Sequence, residues 1–239
     1  MLYHDKKDDT IKPYYLFKSI PDKSKNYLTR YLDATKSTMF FARRVILVEG
    51  ISEQLLIPEF FKIIYNQSIE QNGISLINVG SVAFEHFLRI LKEGYFIKGL
   101  VLTDSDSETG AKHRTAALER GYGNVNHIMI CKTQNTTFEL DLIESNSKEI
   151  GKEHLLDALL KTRRNKGIKA KRQIGNGEIS DSKDFFKNIY EKGKINFKAE
   201  FAMNLLEVLK NEQNKDKRKF FNVPEYIRNG FTHIAGSNE

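Results

Sequence analysis

Four carboxylates occupy positions from which they could share one task. Glu49 follows the apolar run VILV (45–48), and Glu53 lies four residues further on. Asp104 and Asp106 follow a second apolar run, FIKGLVLT (96–103), in the order Thr103-Asp104-Ser105-Asp106. If both runs are strands of one parallel sheet, the acids gather beyond the strands' carboxyl ends, where such sheets bind ligands. Crowded carboxylates repel one another unless cations neutralise them. Hard oxygen donors of this kind suit Mg2+ or Mn2+. Taken singly, each acid is better read as a helix cap or a solvated loop residue. The combination on two strand ends points to a site. DSDSETG (104–110) lacks the spacing and the bidentate Glu of a calcium loop.

Other chemistries find less support. His86 and His113 fall on predicted helices without a partner at metal-ligand spacing. Ser52 and Cys131 lack a recognisable base, so nucleophilic catalysis through them is not expected. The single cysteine excludes a disulfide framework and a thiolate metal site, and it agrees with a cytoplasmic setting. None of the 10 tyrosines has a context that marks it as a strand-transfer nucleophile.

Elements able to position the acids are legible around them. Residues 1–25 are polar, carry Pro13 and Pro21, and read as an arm or linker; Asn26 to Phe41 has helical spacing of apolar residues. VILV, ISLINV (74–79), FIKGLVLT and NHIMIC (126–131) read as buried strands. Between them lie helical patterns: a stripe from Leu55 to Ile64 with Ser52 as N-cap and Pro58 as a kink or late start, then 82–94 and 111–121. Strands alternating with helices of this length predict an α/β fold with a parallel sheet covered on both faces. Beyond residue 145 the strand signal fades, and 154–162, 184–192 and 197–210 read as helices separated by polar, basic loops.

The 239 residues, 40% apolar and 29% charged, suffice for one core with an elaboration. Apolar runs stay far short of the ~20 residues that cross a bilayer, and the N-terminus has no apolar core of a signal peptide. The net charge of +7 is uneven: residues 1–145 hold 18 Lys+Arg against 18 Asp+Glu, and residues 146–239 hold 20 against 13. Clustered acids beside a basic half suit an enzyme acting on a polyanion, although charge alone equally describes a solvated basic surface. The run 161–173, with Arg163, Arg164, Lys166, Lys169, Lys171 and Arg172, is the candidate DNA contact; its bland alternative is a solvated loop without a partner.

Glu-Gly after an apolar strand, then Asp-x-Asp after a later strand, resembles the signature of the Toprim domain, shared by topoisomerases, bacterial primases, recombination proteins and OLD (overcoming lysogenization defect) nucleases. The segment RYLDATKSTMFFARRVILVEGISEQLLIP (30–58) closely resembles the OLD-family approach to Toprim. TFELDLI (137–143) resembles the OLD segment after the fourth strand, and KAEFA (198–202) its late Lys-x-x-Phe-Ala motif. The resemblance implies a Toprim catalytic domain over 43–145, after an N-terminal arm and lead-in helix (1–42) and before a basic, mainly helical region (146–239).

It also implies a metal-dependent DNA endonuclease or nickase with two Mg2+ or Mn2+ ions. Glu49 and Glu53 would bind one ion, and Asp104 and Asp106 would bind one or bridge two. Ser107 and Glu108 would supplement them, and Glu139, or its neighbour Asp141, would join the set. Lys198, with Lys194 as competitor, would approach the scissile phosphate. The sequence contains no G-x-x-x-x-G-K-[ST] loop, so no ATP site is expected in this chain. Since OLD proteins usually carry an ABC-type ATPase ahead of Toprim, an ATPase domain or subunit outside this chain is expected, with self-association a further possibility. Phage defence or DNA processing is the implied setting. A non-catalytic DNA-binding or assembly module is the competing reading.

Overall fold

The computed structural model describes residues 2–5, 8–13, 18, 20–31, 37–80, 83–93, 98–105, 112–146, 149–178, 197–211 and 220–236. The chain opens with an antiparallel hairpin of β1 (Leu2–Asp5) and β2 (Thr10–Pro13), where composition suggests an arm or linker. Helix α1 (Asp22–Tyr31) follows, and a 3-10 turn (Thr38–Phe41) leads into β3 (Arg44–Val48). Strands and helices then alternate: α2 (Ile51–Tyr65), β4 (Ile74–Asn78), α3 (Phe84–Lys92), β5 (Lys98–Thr103), α4 (Lys112–Tyr122) and β6 (Ile128–Lys132). The remainder is helical among the described residues: α5 (Phe138–Ser145), α6 (Glu149–Thr162), α7 (Arg164–Gly175), α8 (Phe197–Lys210) and α9 (Glu225–Ala235). The helix expected over 184–192 lies outside the described residues.

Strands β3 to β6 form one parallel sheet in the order β4-β3-β5-β6. The apolar character of VILV follows from its central place, since both its faces are covered. Ile46 and Val48 point to one face, where Leu56, Ile57, Phe60 and Phe61 of α2 meet α5, α6, α8 and α9. Val45 and Leu47 point to the other, against α1, α3 and Tyr122 of α4. The result is a three-layer α/β/α sandwich. Val48 is level with Leu102 across the β3–β5 pair, so the residues after these strands emerge side by side. From β3 the chain crosses outward to β4, and from β5 it crosses the other way to β6. The gap between β3 and β5 is therefore the topological switch point, where open parallel sheets place ligands.

Two local expectations change. Helix α2 starts at Ile51 with Gly50 as N-cap, so Ser52 caps nothing, and Pro58 is accommodated in mid-helix rather than delaying its start. The basic run after residue 163 is helix α7, not a loop. Gly167 allows α7 to cross close to α6: a Cβ there would stand 2.8 Å from the Leu160 Cα, which backbone cannot readily vacate. Gly167→Ala is expected to destabilise the fold by ~1–3 kcal/mol through overpacking, outweighing the ~1 kcal/mol that alanine adds to a helix. Urea unfolding checks this: a variant as stable as wild type would show that the crossing yields readily to a methyl group.

Candidate active site

The switch point gathers the acids. Glu49 leaves the end of β3, and its Oε2 accepts from the Thr103 hydroxyl at 3.0 Å and from the Asp104 N–H at 3.3 Å. Glu49 is thereby tied across to the end of β5. The Asp104 carboxylate accepts from the Phe138 N–H at 2.7 Å, so the first turn of α5 is aimed at it. Glu53, in the first turn of α2, folds back over Gly50, where a Cβ would stand 2.9 Å from its Oε2. The Glu-Gly pair after β3 thus has a steric reason: glycine leaves room for the carboxylate three residues beyond it. Glu139, 5% exposed, accepts from the Ser52 hydroxyl at 3.2 Å on one oxygen and from Lys198 at 2.7 Å on the other. Ser52, which sequence reasoning treats as a cap, orients an acid instead.

The grouping also shifts the ionisation of its members. Burial, followed by the charges of Glu53, Glu139 and Glu49, pushes the Asp104 carboxyl up to about 8. Burial and the charges of Glu139 and Glu49 push Glu53 up to about 7. Burial opposes the Lys198 ammonium, yet Glu139, Asp104 and Glu53 together hold its pKa above the ordinary lysine value. The Tyr226 phenol on α9 is raised well above its usual value by burial and then by the charges of Glu53, Asp104, Asp141 and Glu139.

Hard oxygen donors in excess negative charge fit a divalent cation. Among the described residues, no three His, Cys, Asp or Glu side chains are already disposed around one point. Glu139 is turned toward Lys198, and Glu49 toward Thr103. Asp106, Ser107, Glu108 and the competing Lys194 lie outside the described residues. Asp141, the alternative to Glu139, is turned elsewhere: it accepts from the Gln134 and Asn135 N–H groups, each at 2.7 Å. Of the two lysines considered, Lys198 is seen among the carboxylates.

The basic run touches, at its start, the helix that carries Lys198. The Arg163 guanidinium lies 5.0 Å from the Phe197 ring centroid and pairs with Glu200 at 2.7 Å. Lys166 lies 5.5 Å from the same ring, whose residue immediately precedes Lys198. Arg164, Lys169, Lys171 and Arg172 are exposed on α7.

Residues 40–106 match the model of the Overcoming lysogenization defect protein-like Toprim domain. In structure the chain is similar to the C-terminal region of the Burkholderia pseudomallei OLD protein, at 22% identity over 82% of this chain and 98% of that one, with a TM-score of 0.54. It is also similar to the C-terminal region of the Xanthomonas campestris pv. campestris OLD protein, at 23% identity over 82% of this chain and 96% of that one, with a TM-score of 0.52. These likenesses agree in fold with the sheet and helices described above. No curated protein matches the chain.

Proposed function

We propose that this chain, which carries an OLD-like Toprim domain, is a divalent-metal-dependent endonuclease that nicks or cleaves DNA. The observation that carries this reading is the meeting of Glu49, Glu53, Asp104 and Glu139 with Lys198 at the switch point of a Toprim sheet. Toprim domains bind divalent metals in general. Here Glu49, Glu53, Asp104 and Glu139, joined by Asp106 and Glu108, which follow Asp104 in the sequence, would hold one or two Mg2+ or Mn2+ ions. Bound there, such ions supply an activated water and neutralise the departing oxygen of a phosphodiester.

The chain's own residues do the rest. Lys198 brings a fixed positive charge to the carboxylate cluster, suited to the charge that builds on a phosphoryl group under attack. Ser52 and Lys198 hold Glu139 in one orientation, and Thr103 does the same for Glu49. The burial of Glu53 and Glu139 keeps competing water away from the donors. Helix α7, with Arg164, Lys166, Lys169, Lys171 and Arg172, offers a positive surface to the phosphate backbone, and Arg163 marks where that surface meets the site. DNA is the partner these charges suit. An ABC-type ATPase as a further partner, self-association and a setting in phage defence or DNA processing rest on the OLD resemblance.

The test is incubation of supercoiled plasmid with the chain and Mg2+, Mn2+ or EDTA. Metal-dependent nicked or linear product is expected. DNA retarded on a gel yet intact under every condition would overturn the nuclease reading in favour of a binding module that needs a partner. In the same assay Lys198→Met is expected to lose ~10²–10³-fold in cleavage rate while retaining DNA binding. A rate within threefold of wild type would remove Lys198 from the chemistry.

A further inference from the structure

The loop after β6 is bonded to the segment that carries Asp104. Thr133, 2% exposed, extends the β5–β6 ladder by donating its N–H to the Thr103 carbonyl at 3.1 Å. Its hydroxyl accepts from the Ser105 N–H at 2.9 Å and donates to the Asn135 carbonyl at 2.6 Å. The Ser105 hydroxyl donates to that same carbonyl at 2.5 Å. Behind the loop stands Asp141, 4% exposed, which takes three hydrogen bonds of 2.7 Å from the Gln134 N–H, the Asn135 N–H and the Asn135 amide. A buried carboxylate bonded in this way fixes the backbone that faces it, because leaving it unpaired would be costly.

Ser105 follows Asp104 directly, so whatever fixes its backbone fixes the direction in which the Asp104 carboxylate leaves the sheet. We infer that Thr133 and Asp141 are positioning residues, which hold the Asp104–Ser105 segment through the loop 133–135 and so set the geometry of the Asp104 donor to the metal. This inference rests on the metal-dependent reading of the site. It also accounts for Asp141, an acid two residues from Glu139 that serves the site without facing it. Groups that orient metal ligands commonly change metal affinity or activity by ~10–100-fold when lost.

The experiment compares wild type, Thr133→Val, Thr133→Ser and Asp141→Asn in the full chain, reading the Mn2+ dissociation constant by calorimetry, the melting temperature, and plasmid cleavage. Valine keeps the volume and removes both hydroxyl bonds; serine keeps the hydroxyl. Thr133→Val and Asp141→Asn are expected to weaken Mn2+ binding ~10-fold or more, with Thr133→Ser within about threefold of wild type. Asp141→Asn supplies the answer if the valine variant does not fold. A lowered melting temperature with an unchanged Mn2+ dissociation constant would show a merely structural brace and overturn the inference while the metal-dependent reading stands. A wild type that binds no Mn2+ and cuts no DNA would sink both.

Discussion

Replacing Asp104 with Asn is expected to reduce plasmid cleavage at least ~10³-fold, the scale of the several kcal/mol a metal centre contributes, and at the same time to raise the metal-free melting temperature. The two effects have one cause. Asp104 is a carboxylate in a largely buried place, surrounded by the charges of Glu53, Glu139 and Glu49, and its pKa is accordingly driven up to about 8. Ionising it without a cation works against the fold. Asparagine keeps an oxygen to accept the Phe138 N–H but carries no charge, so the repulsion falls and the donor strength falls with it. Each kcal/mol recovered corresponds to about 2–4 °C for a chain of this size, so a rise of several degrees in EDTA at pH 8 is expected. Differential scanning calorimetry beside the cleavage assay reads both. A variant that cuts like wild type, or one that melts lower than wild type in EDTA, contradicts this origin of the site's charge.

The second large effect is on pH. The folded pKa values of Asp104 and Glu53 stand at about 8 and about 7, against ordinary values of 3.8 and 4.5. The folded state therefore holds protons that the unfolded chain has already released. Their stabilising contribution is complete below the ordinary values and is lost as pH rises through the folded ones. In EDTA the melting temperature should fall from pH 6 to pH 9. A divalent cation must displace the same protons, so its affinity should rise across that window. The gap between melting curves with Mg2+ and with EDTA should accordingly widen as pH increases, because a ligand bound to the native state stabilises by mass action. Parallel curves at all pH values would mean that the carboxylates do not share a site with the metal.

The central strands and the acids after them are legible in the sequence for a physical reason. A strand buried on both faces must be apolar throughout, and VILV and GLVLT stand out against polar loops. The orientation of Glu139 is not legible in the same way. Glu139 and Asp141 both lie in the first turn of α5, and two residues on a helix point ~200° apart. Helix phase alone decides that one meets Lys198 and the other the loop after β6. The roles of Ser52, Thr103 and Thr133 depend on bonds across 87, 54 and 28 residues, which local pattern cannot reveal.

Helix α9 could have been found: Pro224 precedes Tyr226, Ile227, Phe231 and Ile234, an apolar face at helical spacing that is buried against the sheet. Helix α7 hides because its buried residues are Gly167 and Ala170, too small to make an apolar stripe. The N-terminal hairpin hides because the described residues 8–13 of its turn and second strand are largely exposed, Ile11 included, and show no buried alternation.

The most direct measurement is calorimetric titration of Mn2+ into the metal-stripped full chain at pH 8, with wild type and Asp104→Asn side by side. Saturable binding by wild type, weakened at least ~10-fold in the variant, is the expected result. Binding that is absent in wild type, or equal in the two proteins, would contradict the claim that the acids at the β3–β5 switch point form a divalent-metal site.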